Sequence, residues 1–193
     1  MSNKKNKVKF NIKNVHYALN ADTETGYGKP IPIPGAVSVS FEAKGELSPF
    51  YADGIVYYVA SSNGGYEGEL EMALIPDQFR MDVLGEEKDS NNVLVENTNA
   101  QTKSFAIGFD IDGDERSTRF WFLNCTATRP STESSTTEDK KEPTTDKISL
   151  TCAPDADGNV RTKTTEDTAK EVYTAWYDAV YLPVKAQEGG TVS

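Results

Sequence analysis

Apolar and polar residues alternate most strictly between Glu67 and Leu74, where Gly68, Leu70, Met72 and Leu74 share one face and Glu67, Glu69 and Glu71 the other. A period of two is that of a strand with one face on a core and the other in water. The pattern breaks at Pro76, whose fixed φ suits a first helical position while holding Ile75 extended. Asp77 follows where the helix dipole favours a carboxylate, and Gly85 sits where a left-handed residue ends a helix. Ile75, Phe79 and Val83 recur at every fourth position between these signals. The spacing predicts a strand feeding a short helix over 76–85, with Ile75, Phe79 and Val83 as its anchors on the core.

The other periodic stretches read mostly as strands. Val8, Phe10 and Ile12 alternate with lysines and asparagines over 8–19, and Val37, Val39 and Phe41 with serines over 36–41. Residues 20–35, rich in Gly and Pro, form a loop, and 45–54 reads as a turn-rich excursion carrying Phe50 and Tyr51. Ile55 to Ala60 is rich in branched and aromatic residues and reads as a strand apolar on both faces. Val93 to Glu96 is a short strand after a polar loop. Ser104 to Ile111 and Thr118 to Thr126 form the clearest hairpin, with Asp112-Gly113-Asp114 in its turn. Ile148 to Cys152 and Val160 to Thr164 complete about eight strands. Val172, Trp176 and Val180 predict a second helix within 165–183, with a Tyr-rich strand over 173–182 as the competing reading. The fold class is mainly β, an antiparallel sandwich or barrel-like core flanked by helices.

At 193 residues, with eight Phe, nine Tyr and two Trp, the chain has material for a single domain with one substantial core. Residues 131–146 contain no aliphatic or aromatic side chain, which predicts a surface loop or arm, and 186–193 reads as a C-terminal tail. No run is long enough to span a membrane, and the lysine-rich start is followed by no apolar signal region, so a cytosolic chain is expected. In that compartment Cys125 and Cys152, each on an apolar strand, are expected to be two separate buried thiols. The net charge of −10 argues against a phosphate-gripping surface. It is also unevenly placed: residues 66–96 hold nine acids against Arg80 and Lys88, while residues 1–13 hold five lysines and no acid.

No constellation supports catalysis, and no cofactor is expected. Asp110, Asp112 and Asp114 begin like a calcium loop, but Glu115 stands where a glycine is needed; Asp155, Asp157 and Asn159 fail in the same way at Val160. His16 is the only histidine and reads as structural rather than as a ligand or base. Gly64, Gly65 and Gly68 precede a strand, not a helix, and so make no phosphate cradle.

Lys13-Asn-Val-His-Tyr-Ala18, Ile33-Pro-Gly-Ala-Val-Ser38, Gly45 to Asp53, Gly65 to Glu71, Ile75-Pro-Asp-Gln-Phe79, Phe105 to Asp114 and Ala127-Thr-Arg-Pro130, in that order and spacing, resemble the major tail protein family. These are the tail-tube subunits of long-tailed, non-contractile phages of Gram-positive bacteria. The resemblance implies a virion protein, made in the host cytoplasm, whose partners are further copies of itself, the tape-measure protein, the tail terminator and distal tail proteins, with DNA passing unbound and no membrane. It implies hexameric rings stacked into a tube. Some relatives carry a further immunoglobulin-like domain, and none is expected in this sequence. Within that frame Glu67, Glu69 and Glu71 are candidates to face the lumen. Lys4, Lys5, Lys7, Lys9, Lys140 and Lys141, with Phe50 and Tyr51, are candidate contacts between subunits. A cell-surface or carbohydrate-binding β module, with Trp121, Trp176 and Tyr66 as a sugar platform, is the alternative.

Overall fold

The computed structural model describes residues 5–21, 23, 26–132, 134 and 143–184. Its centre is the hairpin of β9 (Phe105–Gly113) and β10 (Thr118–Ala127), flanked by β1 (Lys9–Leu19) on one side and β11 (Asp146–Cys152) on the other. Beyond β11 come β6 (Gly65–Met72) and β3 (Ala36–Lys44); β2 (Ile31–Pro32) borders β1, and β12 (Arg161–Lys163) extends the β11 side of β10. All pairings are antiparallel. β3 also lies against β1, so the sheet curls into a nearly closed barrel. Two further pairs stand apart: β4 (Leu47–Ala52) with β5 (Ile55–Ser61), and β7 (Glu87–Lys88) with β8 (Leu94–Val95), of which β7 falls in the polar loop expected after the first helix.

Inward residues of every barrel strand meet in one core that includes Tyr17, Leu70, Met72, Phe105, Ile107, Phe109, Phe122, Ile148 and Leu150. Helix α1 (Asp77–Phe79) runs on into a π turn over Arg80–Leu84 and closes one end of the barrel. The wider π turn sets the consecutive Val83 and Leu84 both against the core, beside Ile75 and Phe79. Gly85 ends it at φ +76°, a left-handed value that suits glycine. Phe79 meets Tyr17 and Phe105 edge-on, at 5.1 and 5.6 Å between ring centroids.

A second, smaller core lies outside the barrel. There Trp121, Leu123, Ala106 and Ala18 are covered by Trp176 and Val180. Gly108 is required beneath Trp121, because a Cβ there would lie 2.7 Å from the indole. The covering segment is neither the long helix nor the strand expected: α2 spans only Lys170–Thr174, followed by turns. Side chains hold it instead. Trp121 Nε1 donates to the Trp176 carbonyl at 3.1 Å, and Tyr173 lies under the guanidinium groups of Arg116 and Arg119 at 3.6 and 3.9 Å.

Four other expectations are corrected. Cys125 and Cys152, both fully buried, form a disulfide rather than two thiols. They are 27 residues apart in sequence, but the β10–β11 register sets them directly opposite each other. Leu74 does not share the inward face of Leu70 and Met72; β6 ends at Met72, and Leu74 is 70% exposed. The turn of the central hairpin lies after Gly113, so Asp112 and Gly113 belong to β9. Residues 47–52 are a strand and not a turn; Ile55 to Ala60 is the strand expected, and both its apolar faces are exposed.

Candidate assembly surfaces

The β4–β5 hairpin is the most conspicuous surface feature. It continues the β3–β6 ladder outward: Gly64 donates to the Lys44 carbonyl at 2.7 Å and Ser62 to that of Glu46 at 3.0 Å. Asp53 and Gly54, both at positive φ, make the tight turn at its tip. The six residues of β4 carry it about 20 Å outward. Among the described residues its strands pair only with each other. Leu47, Phe50, Tyr51, Ile55, Val56, Tyr57, Tyr58 and Val59 are all between 46% and 73% exposed. A two-stranded ribbon is marginal in water by itself, and apolar surface on this scale marks an interaction site. This hairpin is referred to below as the arm.

The barrel end from which the arm springs is the one that α1 does not close. The N-terminus is tied there: Asn6 Oδ1 accepts the amides of Glu115 and Arg116, both at 3.0 Å, and Lys7 N–H donates to Asp114 Oδ1 at 2.8 Å. Lys5, Lys7 and Lys9 are exposed along this edge, and Phe10 is 62% exposed beside them. Lys4, Lys140 and Lys141 lie outside the described residues, as do 186–193 and most of 131–146.

Glu67, Glu69 and Glu71 project from the outer face of β6, opposite Leu70 and Met72. They are not a bare acidic row. Glu67 pairs with Lys44 of β3, Glu69 with Lys147 of β11 at 3.2 Å, and Glu71 accepts from Thr145 at 2.6 Å and Ser38 at 2.9 Å. The Thr145 and Ser38 hydroxyls hold the Glu71 carboxyl below its ordinary value. The compensating lysines come from neighbouring strands of the same chain. Arg80–Glu86, Lys88–Asp77 and Arg129–Glu96 pairs compensate other acids of 66–96.

Asp110 is buried and held by Tyr177, by Asn14 Nδ2 at 2.9 Å and by Arg119. Asp112 is paired with Lys13 and accepts from Ser117 at 2.7 Å. These aspartates therefore knit β1, β9, β10 and the turns after α2 together. Asp155 caps its own turn through the amides of Asp157 and Asn159. His16 stacks on Tyr177 at 4.3 Å. Among the described residues no cluster of His, Cys, Asp and Glu could hold a metal ion, and no helix is long and apolar enough to cross a membrane. Trp121 and Trp176 are buried, so they offer no platform to a sugar.

An exposed apolar arm on a closed core is the structure of a subunit built to meet others. The family model for phage tail tube proteins matches residues 11–180, nearly the whole chain. The chain belongs to this family. No curated protein matches it. As a tail tube protein it is a structural, non-enzymatic component of the virion's tail, and the family implies self-assembly. Sequence reasoning singled out Phe50 and Tyr51 but missed Leu47, Tyr57 and Tyr58 on the same arm. The Asp53-Gly54 dipeptide, between Phe50-Tyr51 and the run from Ile55, was the signal for this hairpin.

Proposed function

We propose that this tail tube protein forms hexameric rings that stack into the tube through which the genome leaves the particle. Assembly takes place in the host cytoplasm around the tape-measure protein, with the tail terminator and distal tail proteins at the two ends. DNA passes without a specific binding site. The observation that carries this reading is the arm, whose eight large apolar residues have no cover among the described residues. Burying them against another copy removes that surface from water. Closed rings follow from cyclic repetition of one such contact, and a tube from its axial repetition.

Electron microscopy of the purified full chain tests the reading, with sedimentation as a second measure. The wild type is expected to give rings or tubes. A variant with Phe50, Tyr57 and Tyr58 all changed to Ser is expected to stay folded, since none belongs to the core, and to remain monomeric. A wild-type chain that stays monomeric at high concentration removes the reading. So does a triple variant that assembles as well as the wild type.

A further inference from the structure

The two ends of the barrel are finished differently. At one, Phe79, Val83 and Leu84 seal the core. At the other, where β9 ends and β10 begins, Phe41, Tyr66, Ile111 and Phe120 pack on the core yet remain partly exposed. A cavity of about 410 Å³ opens there, with Val8, Ile111 and Phe120 on its apolar side. Its walls carry five cations against two carboxylates, and one of the latter, Asp112, is already held by Lys13 and Ser117. The Arg161 guanidinium lies 5.3 Å from the Tyr66 ring centroid, and Lys163 Nζ lies 5.9 Å from that of Phe120. Neither cation has a carboxylate partner among the described residues.

We infer that this open mouth receives the β4–β5 arm of a second copy of the chain; the inference rests on the tube reading above. The arm and the mouth complement each other in shape, apolarity and charge. The arm projects and is lined with Phe50, Tyr51, Tyr57 and Tyr58, while the mouth is concave, with Phe120, Val8 and Ile111 as its apolar lining. Residues 45–64 carry Glu46 and Asp53 and no Lys or Arg, whereas cations outnumber carboxylates at the mouth and neither Arg161 nor Lys163 is ion-paired among the described residues. Incoming tyrosines would exchange water for ring contacts and cation–π contacts with these two side chains. Among the described residues nothing covers either the arm or the mouth. A projecting element on one copy and a recess on the next make a heterologous contact, which repeats along an assembly.

A photoreactive benzoylphenylalanine placed at Tyr58 of the full-length chain tests this. After assembly and irradiation, mass spectrometry is expected to find adducts between copies on peptides containing Val8 to Phe10, Phe120, or Arg161 to Lys163. Tubes whose adducts map to α1, to other arms or to the β7–β8 segment overturn the mouth assignment and leave the tube reading standing. A chain that forms no rings or tubes overturns both. An Arg161→Glu, Lys163→Glu variant supplies a second readout: melting like wild type with loss of sedimentable tubes is expected, and wild-type assembly by this variant overturns the assignment.

Discussion

At the closed end of the barrel one ring joins helix to sheet. Phe79 is 1% exposed and touches the edges of Tyr17 and Phe105, so truncation leaves a hole bounded by strands that cannot collapse. Phe79→Ala is expected to lower the unfolding free energy by about 3–5 kcal/mol in a urea titration; a change near zero would show that the helix does not seal the core. The titrating residues set the pH limits of the fold. Tyr177 and Tyr17 hold their protons above the ordinary tyrosine value, first through burial and then through hydrogen bonds to Asp110 and Asp82. Their contribution is present below a pH of about 10 and is lost as pH rises through the raised folded values. Glu71, Asp112 and Asp114 are lowered by hydrogen bonds from Thr145, Lys13 and the Lys7 amide respectively. Their contribution is present above the ordinary carboxylate value of about 4 and is lost as pH falls through the lowered folded values. Being exposed, these carboxylates contribute weakly through screened water. Melting temperature is expected to be nearly level between about pH 5 and 9 and to drop on both sides. Glu71→Gln with Asp112→Asn should flatten the acid limb, and an acid limb identical to wild type would remove these two groups from the account.

Among the elements, those with regular period and clear punctuation were legible in the sequence. The β6–α1 unit was read from the Glu67 to Leu74 alternation and the Pro76 and Gly85 signals, and the β9–β10 hairpin from its two aromatic arms. The arm was not. Ile55 to Ala60 has the composition of a strand buried in its own core, and a strand awaiting cover from another copy looks the same. Segment 165–183 failed for a different reason. The four-residue spacing of Val172, Trp176 and Val180 marked side chains that meet the barrel, but Arg119, Trp121 and Asp110 hold them without a continuous helical ladder. The Cys125–Cys152 bond was invisible because it depends on the register between β10 and β11, which local pattern does not encode. That bond staples a strand of the central hairpin to its neighbour across 27 residues. Loop-closure entropy assigns such a crosslink about 3–4 kcal/mol. Unfolding with and without reductant, or in a Cys125→Ala, Cys152→Ala variant, should show a loss on this scale, and equal midpoints would mean the bond is not formed in solution.

At the scale of the whole molecule, what matters is where the charge sits rather than its sum. Alternation placed Glu67, Glu69 and Glu71 on the outer face of β6, and the structure adds Lys44 and Lys147 on the flanking strands. Such a face is mixed in charge but rich in carboxylate, and repeated around a ring it would form a band that repels phosphate without gripping it. A DNA conduit needs that property, because clustered unpaired cations would retain the duplex through counterion release. We therefore propose the β6 outer face as lumen lining. Changing Glu67, Glu69 and Glu71 together to Lys converts the band to one in which cations outnumber the one remaining carboxylate, Glu42 opposite position 67, since Lys44 and Lys147 lose their partners. The subunit should still fold, because all three side chains lie outside the core and exposed substitutions rarely move stability much. Particles carrying the change are expected to assemble tails of wild-type appearance and to eject DNA slowly or incompletely, with the defect easing as salt is raised and the new cations are screened. Fluorescent-dye detection of DNA release from purified particles measures this directly. Wild-type ejection kinetics at low salt would place these glutamates on the outer wall instead.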